Sequence, residues 1–247
     1  MSTSHFKHFD VRNDLSTMKV NTDGVLLGAA VPLSGDETRI LDVGTGTGTI
    51  ALMLAQRLLG VDRTLPLSSK IQILGIDIDA PSVEEAAANF AASPWAECLR
   101  PELAPLQELD RAPRWDLIVS NPPYYDNSLQ APDPRRNAAR HTEVGQSLSY
   151  RDLVSFAAAS LSAGGRLALI LPSVEEMPLL RYAASFSLFP ERITSVRTTP
   201  SKAPSRMIMV LGRERREAPE RNTLTIQSGG SYTQEYLELV KEFYLFA

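Results

Sequence analysis

A glycine-rich turn between a short apolar strand and a helix most constrains how this chain folds. Ile40-Leu41-Asp42-Val43 has the composition of a buried strand, Gly44-Thr45-Gly46-Thr47-Gly48 follows it, and residues 50–59 place apolar side chains on one helix face. Glycines let a ligand lie against the backbone, and the start of a helix offers free N–H groups. The pattern therefore predicts the first unit of a nucleotide-binding α/β sheet.

The residues around this turn indicate the kind of cofactor. The loop lacks the Gly-Lys-Ser/Thr ending of a phosphate loop. Asp42, just before it, suits a cofactor with positive charge, so S-adenosylmethionine, which carries an ammonium and a sulfonium, fits better than NAD. A second predicted strand, Ile71–Ile76, ends at Asp77, whose carboxylate is in position to accept hydrogen bonds from both ribose hydroxyls.

A third strand end carries a different kind of chemistry. Trp115–Ser120 is an apolar run typical of a buried strand, and Asn121-Pro122-Pro123-Tyr124 follows it. An Asn amide oxygen accepts a hydrogen bond from an exocyclic amino group, prolines fix φ and remove backbone donors, and a Tyr ring offers a face for stacking. A plain strand-ending turn is the alternative interpretation, because Asn-Pro is ordinary turn chemistry.

A helix start precedes the first strand. Thr22 or Asp23 is the expected N-cap of a helix that carries Val25 and Leu26. A capping turn explains Thr22 and Asp23 without any ligand. Lys19, just before this helix, has no evident structural role.

Composition excludes several classes of protein. The chain of 247 residues, 43% of them hydrophobic, is long enough for one large α/β domain. It has no apolar run of 18 residues and no apolar core near its start, so we expect a cytoplasmic protein without a membrane span. With one cysteine, Cys98, and three scattered histidines, we expect no metal site.

The charge of the chain is unevenly distributed. The net charge of −4 gives no overall basic field. Basic residues nevertheless gather in two groups, one at Arg135, Arg136, Arg140 and Arg151 and one between Arg192 and Arg221 that includes Lys202 and Arg206. These groups are either solvated faces or a phosphate-binding surface.

Together, the glycine loop and the Asn-Pro-Pro-Tyr element resemble the class I S-adenosylmethionine-dependent methyltransferases that act on a planar nitrogen. Asp42 and the three glycines match the first cofactor motif, Asp77 matches the ribose-binding acid, and residues 121–124 match the catalytic motif of amino-methylating enzymes. The resemblance implies a Rossmann-like α/β fold with a seven-stranded, mostly parallel sheet, an antiparallel last hairpin and helices on both faces.

A closer resemblance covers nearly the whole chain. Phe6-Lys7-His8-Phe9, Met18-Lys19-Val20-Asn21-Thr22-Asp23-Gly24, Ser93-Pro94-Trp95-Ala96-Glu97 and Phe243-Tyr244-Leu245-Phe246 are similar to the bacterial tRNA1(Val) (adenine-37-N6)-methyltransferases. This implies a single domain over residues 1–247, with residues 1–35 covering the cofactor site, and an adenosine in the tRNA anticodon loop as the substrate. One departure is the stretch Leu103-Ala104-Pro105-Leu106, which lacks the acid usual in such enzymes beside the cofactor adenine, so that the acid is either absent or supplied by a neighbour such as Glu102 or Glu108.

The resemblance implies a role for each predicted site residue. The Asn121 side-chain oxygen and the Pro122 carbonyl would accept the amino hydrogens of the adenine, while Tyr124 would stack on its ring. The predicted catalytic residues are Asn121, Pro122, Pro123 and Tyr124. The predicted cofactor-binding residues are Lys19, Thr22, Asp42, Gly44, Gly46, Gly48, Asp77, Ile78 and Asn121. The predicted substrate-binding residues are Tyr124, Tyr125, Arg135, Arg136, Arg140, Lys202 and Arg206.

Three alternatives remain at this stage. A ribosomal RNA adenine or guanine amino-methyltransferase needs the same basic surface. A protein glutamine N5-methyltransferase shares the motif, but such enzymes carry an added N-terminal substrate domain, for which fewer than forty residues precede Ile40. A catalytically idle S-adenosylmethionine-binding scaffold is the third, and the intact Asn121-Pro122-Pro123-Tyr124 argues against it.

Overall fold

The structure is a computed structural model that describes residues 2–61, 71–112, 115–123 and 148–247. Its strands are β1 Thr3–His5, β2 Asp10–Arg12, β3 Arg39–Val43, β4 Gln72–Asp77, β5 Leu99–Leu103, β6 Trp115–Ser120, β7 Leu161–Pro172, β8 Phe189–Arg197, β9 Arg206–Gly212, β10 Glu220–Thr225, β11 Gln227–Ser228 and β12 Ser231–Tyr232. Its helices are α1 Thr22–Ala30, α2 Thr49–Leu59, α3 Ala80–Ala92, α4 Tyr150–Ser160, α5 Glu176–Ser185 and α6 Gln234–Val240, with 3₁₀ turns at Leu106–Glu108 and Ser173–Glu175.

A mostly parallel sheet forms the centre of the molecule. Its strand order is β10-β8-β9-β7-β6-β3-β4-β5, and only β9 runs antiparallel to its neighbours, β7 and β8. The chain moves outward from β3 through β4 to β5 and then returns to β6 on the other side of β3. This reversal of direction is where doubly wound sheets bind ligands, at the carboxyl ends of the strands.

Helices cover both faces of the sheet. Ile40 of β3 packs into a core cluster with α1, α2 and α3, whereas the adjacent Leu41 packs into a second cluster with α4 and α5. Successive side chains of a strand point to opposite faces, so a strand that is apolar at consecutive positions is buried from both sides. This arrangement confirms the predicted α/β fold class.

The predicted number of strands was wrong by one. The described part of the sheet has eight strands rather than seven, and the additional one is β10, which pairs in parallel with β8 from Glu220↔Arg192 to Thr225↔Arg197. Four of its six residues are exposed, since it is an edge strand, and its polar sequence therefore lacks the apolar run that marks the inner strands. The antiparallel hairpin of β8 and β9 was predicted correctly, but β10 follows it.

The N-terminal residues form a hairpin and a strap on the α3 side of the sheet. β1 and β2 pair in an antiparallel hairpin whose turn carries Phe6 and Phe9, which stack with ring centroids 4.6 Å apart. Phe6 also stacks on Tyr244 at 5.6 Å, so the two ends of the described chain pack together. We call residues 13–21 the strap. Within the described residues, no helix is both long and apolar enough to span a bilayer.

A candidate methyl-transfer site at the carboxyl ends of the strands

The glycine loop has a backbone that only glycine adopts easily. Gly44, Gly46 and Gly48 have φ values of +71°, +55° and +81°. A Cβ on Gly48 would lie 2.4 Å from Cε1 of Phe90, so this glycine also permits the close packing of the loop against α3. The predicted loop thus lies between β3 and α2, with Gly48 at the N-cap of α2.

Asp77 holds the loop against the next strand. Its Oδ2 accepts a hydrogen bond from the Gly46 N–H at 2.9 Å, and its Oδ1 accepts one from the Asp79 N–H at 3.0 Å. These contacts fix the carboxylate at the end of β4. Beside it, Ile78 and Leu103 are 53% and 56% exposed at the ends of neighbouring strands. Carboxylate oxygens next to exposed aliphatic side chains suit a ribose and the face of a purine.

Asp42 lies below the loop and is completely buried. Its Oδ2 accepts a hydrogen bond from the Thr45 hydroxyl at 2.7 Å, whereas its buried Oδ1 has no partner with good hydrogen-bond geometry among the described residues. Burial raises the pKa of this carboxyl to about 7 and the nearby Asp77 charge adds to the rise, although the Thr45 hydroxyl and the Ala51 backbone N–H oppose it. A buried carboxylate that is incompletely hydrogen-bonded beneath a glycine loop fits a cationic cofactor, so the described residues suit S-adenosylmethionine.

The strap lies over the loop and is tied to α3. Glu85 accepts hydrogen bonds from the backbone N–H groups of Asp14, Leu15 and Ser16, at 2.5, 2.9 and 2.8 Å. One turn later, the Asn89 side chain donates to the Thr47 carbonyl of the loop at 2.8 Å. Glu85 and Asn89 therefore hold the strap and the loop in one assembly.

Strap, loop and Asn121 together border one narrow cleft. Its lining residues are Met18, Lys19, Val20, Asn21, Gly24, Gly44, Thr45, Gly46, Thr47, Thr49, Ile50 and Asn121. Asn121 is 8% exposed, and its Nδ2 donates to Oδ1 of Asn21 at 3.4 Å. Pro122 is buried and Pro123 is exposed. The cofactor loop and the start of the Asn-Pro-Pro-Tyr element thus share a cleft.

Two predicted cofactor residues, Lys19 and Thr22, flank the N-cap of α1. The Lys19 ammonium donates to the backbone carbonyls of Asn13 and Asp14 within the strap. The N-cap of α1 is Asn21 rather than Thr22 or Asp23, because the Asn21 side chain accepts from the Gly24 N–H at 2.8 Å. Thr22 is exposed in the first turn of the helix. Cofactor binding by Lys19 and Thr22 stays a prediction.

The predicted substrate residues are only partly described. Tyr124, Tyr125, Arg135, Arg136 and Arg140 lie outside the described residues. Lys202 is exposed in the turn between β8 and β9, and Arg206, where β9 begins, pairs with Asp23 of α1 at 2.9 Å. That ion pair brings the turn beside α1 and hence near the cleft.

The two acids expected to replace the missing one lie beside the last strand of the sheet. Glu102 and Glu108 line a cavity of about 590 Å³ together with Arg39 and Trp115. A contact of either acid with the cofactor adenine stays a prediction. Among the described residues, no three His, Cys, Asp or Glu side chains are grouped to hold a metal ion.

Sequence reasoning missed Asn21 and Glu85. The Asn-Thr-Asp-Gly order was a usable signal for Asn21, since Asn is a strong N-cap and lies three residues before Gly24. Glu85 gave no local signal, because its partners lie about 70 residues away in the sequence.

Comparison with known proteins agrees with this geometry. The family described as "Methyltransferase domain" matches residues 41–140. The tRNA1(Val) (adenine(37)-N6)-methyltransferase of Flavobacterium psychrophilum is 39% identical over 97% of this chain and 98% of its own length. The same enzyme of Flavobacterium johnsoniae is 40% identical over 97% and 98%. The chain belongs to the tRNA1(Val) (adenine(37)-N6)-methyltransferase family.

A solved structure supports the fold independently. A predicted O-methyltransferase from Agrobacterium tumefaciens superposes with a TM-score of 0.61 over 90% of this chain and 96% of its own, at 18% identity. Family and fold together confirm the predictions of a class I methyltransferase fold, of an enzyme, and of S-adenosylmethionine as the cofactor.

Proposed function

We propose that the enzyme transfers a methyl group from S-adenosylmethionine to the N6 amino group of an adenine in tRNA, with adenosine 37 of tRNA1(Val) as the target. Nearly full-length relatives of that name support the substrate. The single observation that carries the chemistry is the shared cleft of the glycine loop and Asn121. The proposal includes one domain over residues 1–247, whose first 35 residues cover the cofactor site, and a cytoplasmic location, where tRNA is found.

The protein's main task is to position two reactants. Asp42, the glycine loop and Asp77 would hold the cofactor, which supplies an electrophilic methyl group on its sulfonium. The N–C bond at N6 would form as the methyl–sulfur bond breaks, the cofactor would leave as a neutral thioether, and the proton lost from N6 would pass to solvent. Fixed acceptors at developing positive charge and a fixed geometry provide acceleration without a strong base.

Asn121 and Pro122 would act on the amino group itself. The Asn121 side-chain oxygen and the Pro122 carbonyl accept its two hydrogens, which draws the nitrogen lone pair out of conjugation with the ring. Because Asn121 is 8% exposed, its hydrogen bond is largely protected from competing water. Tyr124 would stack on the base after it leaves its own stack, and a base in an anticodon loop is already close to single-stranded.

The test is a methyl-transfer assay with labelled S-adenosylmethionine. Unmodified valine tRNA transcripts carry adenosine or guanosine at position 37, and ribosomal RNA serves as a competing substrate. We expect label only with adenosine 37, and Asn121→Ala should lower kcat by about 100- to 1,000-fold, as loss of a key transition-state hydrogen bond does.

Two controls make this assay decisive. Asn222→Ala removes an exposed asparagine on β10, far from the cleft in the sheet order, and should keep full activity. The Tm and the circular dichroism spectrum of Asn121→Ala test whether the protein is intact. Label on ribosomal RNA alone, or equal label on both transcripts, would contradict the proposed substrate.

A further inference from the structure

Asn21 links the strap, helix α1 and Asn121. Its Oδ1 accepts hydrogen bonds from the Gly24 N–H at 2.8 Å and from Asn121 Nδ2 at 3.4 Å, and its own Nδ2 donates to the Lys19 carbonyl at 2.9 Å. Both ends of this side-chain amide thus have backbone partners of opposite type. The orientation of the Asn21 amide is therefore fixed.

The fixed amide of Asn21 also determines how Asn121 is oriented. The Gly24 N–H holds the Asn21 oxygen, and the Lys19 carbonyl holds the Asn21 NH₂. Because that same oxygen lies beside the Asn121 amide, Asn21 presents an acceptor to Asn121. An oxygen facing an oxygen is repulsive, whereas an amide NH₂ facing an oxygen forms a hydrogen bond. Asn121 consequently turns its NH₂ toward Asn21 and its oxygen to the opposite side of the amide.

That orientation is the one that methyl transfer to an amino group requires. An amino group of a base presents hydrogens, so only the oxygen of Asn121 can accept from it. A flipped amide would present NH₂ against NH₂ and bind the base poorly. The two orientations have nearly the same shape, so polar contacts, among them the one with Asn21, must distinguish them.

We propose that Asn21 is a positioning residue, which sets the side-chain amide of Asn121 with its oxygen toward the methyl-accepting amino group. This inference rests on the proposed function, since the benefit depends on an amino group as the acceptor. Asn21 also caps α1, so a test must separate the capping role from the positioning role.

Two substitutions at residue 21 separate these roles. Asn21→Ser and Asn21→Asp both retain an N-cap oxygen for the Gly24 N–H, and both lose the donor to the Lys19 carbonyl. They differ in reach, because the aspartate extends to Asn121 Nδ2, whereas the serine hydroxyl is one atom shorter and does not. The second aspartate oxygen also faces the Lys19 carbonyl, a repulsion that the Tm of Asn21→Asp measures. Asn21→Asp is therefore the control that keeps the acceptor for Asn121.

The expected result is a change in kcat without a change in folding. Asn21→Ser should lower kcat about three- to tenfold, the scale of one lost hydrogen bond between neutral groups, with little change in Tm or in KM for tRNA. The kcat of Asn21→Asp should remain close to the wild-type value. The Kd of S-adenosylmethionine is measured for each variant, because the aspartate adds a charge near the cleft.

A double-mutant cycle assigns the effect to Asn121. In the Asn121→Ala background, Asn21→Ser should cause no further loss of kcat, because the amide that it orients is absent. An equal loss in both backgrounds, or a kcat of Asn21→Ser within twofold of the wild type, would overturn the inference.

Nuclear magnetic resonance gives a readout that does not depend on activity. The side-chain NH₂ signals of Asn121 are those that disappear in Asn121→Ala. They should shift in Asn21→Ser and remain close to the wild-type position in Asn21→Asp, whereas signals unmoved by Asn21→Ser would refute the contact. If the wild-type enzyme methylates no tRNA, the proposed function fails and these spectra still decide the orientation.

Discussion

The buried carboxyl of Asp42 makes the stability of the folded protein depend on pH. An aspartate in the unfolded chain ionises near its ordinary pKa of 3.8, whereas burial raises the pKa of folded Asp42 to about 7. Between these values the folded protein binds the additional proton. The free energy of unfolding should therefore decrease as pH rises from about 4 to 7, and the full penalty of the buried charge applies above pH 7.

Asp42→Asn removes this dependence. The amide still accepts from the Thr45 hydroxyl but leaves an NH₂ without a partner, so we expect a net gain of about 1–3 kcal/mol at pH 8 and no gain near pH 4. Affinity for S-adenosylmethionine should fall at the same time. Denaturant unfolding and calorimetry at several pH values measure both quantities, and an unchanged pH slope would contradict the explanation.

Asp116 provides a control, because its pKa is shifted in the opposite direction and its contribution to stability has the opposite dependence on pH. Although burial alone would raise its pKa, hydrogen bonds from the backbone N–H groups of Thr38 and Arg39 and from the Thr38 and Ser162 hydroxyls hold the pKa of this carboxyl below its usual value. Its stabilisation is present above the ordinary pKa and is lost as pH falls. Asp116→Asn should therefore destabilise the protein at pH 7, in contrast to Asp42→Asn.

At the scale of elements, the strap depends on α3. Glu85 provides two oxygens for three backbone N–H groups, so Glu85→Gln places an NH₂ against donors and leaves at least one of them unsatisfied. A buried donor without a partner costs about 1–3 kcal/mol. We expect faster hydrogen exchange at residues 14–16 and about tenfold weaker binding of S-adenosylmethionine.

The neighbouring Glu84 supplies the matched control. It is exposed on the same helix, so Glu84→Gln makes the same chemical change without touching the strap. Exchange mass spectrometry and calorimetry on the two variants separate the effects. Faster exchange in Glu85→Gln with an unchanged Kd would show that the strap does not support the cofactor site.

The elements also show what the sequence could predict. The strand Trp115–Ser120 and the loop that starts at Gly44 were predicted because their signals are local: an apolar run and a fixed glycine spacing. The polar edge strand β10 and the contacts of Glu85 were not, because they depend on partners distant in the sequence. The same limit applies to Asn21 and Asn121, which are 100 residues apart.

At the scale of the whole molecule, a net charge of −4 opposes the binding of a polyanion such as tRNA. Binding therefore needs a local basic surface near the cleft. The turn between β8 and β9 satisfies the geometry, because β8 runs parallel to β7 and β6 and ends at the same edge of the sheet as the site. Lys202 is exposed in this turn, whereas Arg206 is already paired with Asp23.

We therefore expect Lys202, more than Arg206, to contribute a phosphate contact. Lys202→Ala should weaken binding of all tRNAs to a similar extent and reduce the slope of log Kd against log salt concentration by about one, since a contact to phosphate carries no sequence information. Lys241→Ala removes an exposed lysine next to Glu238, after helix α6, and serves as the control. Filter binding at several salt concentrations measures both variants, and equal slopes for Lys202→Ala and Lys241→Ala would exclude this turn from the tRNA-binding surface.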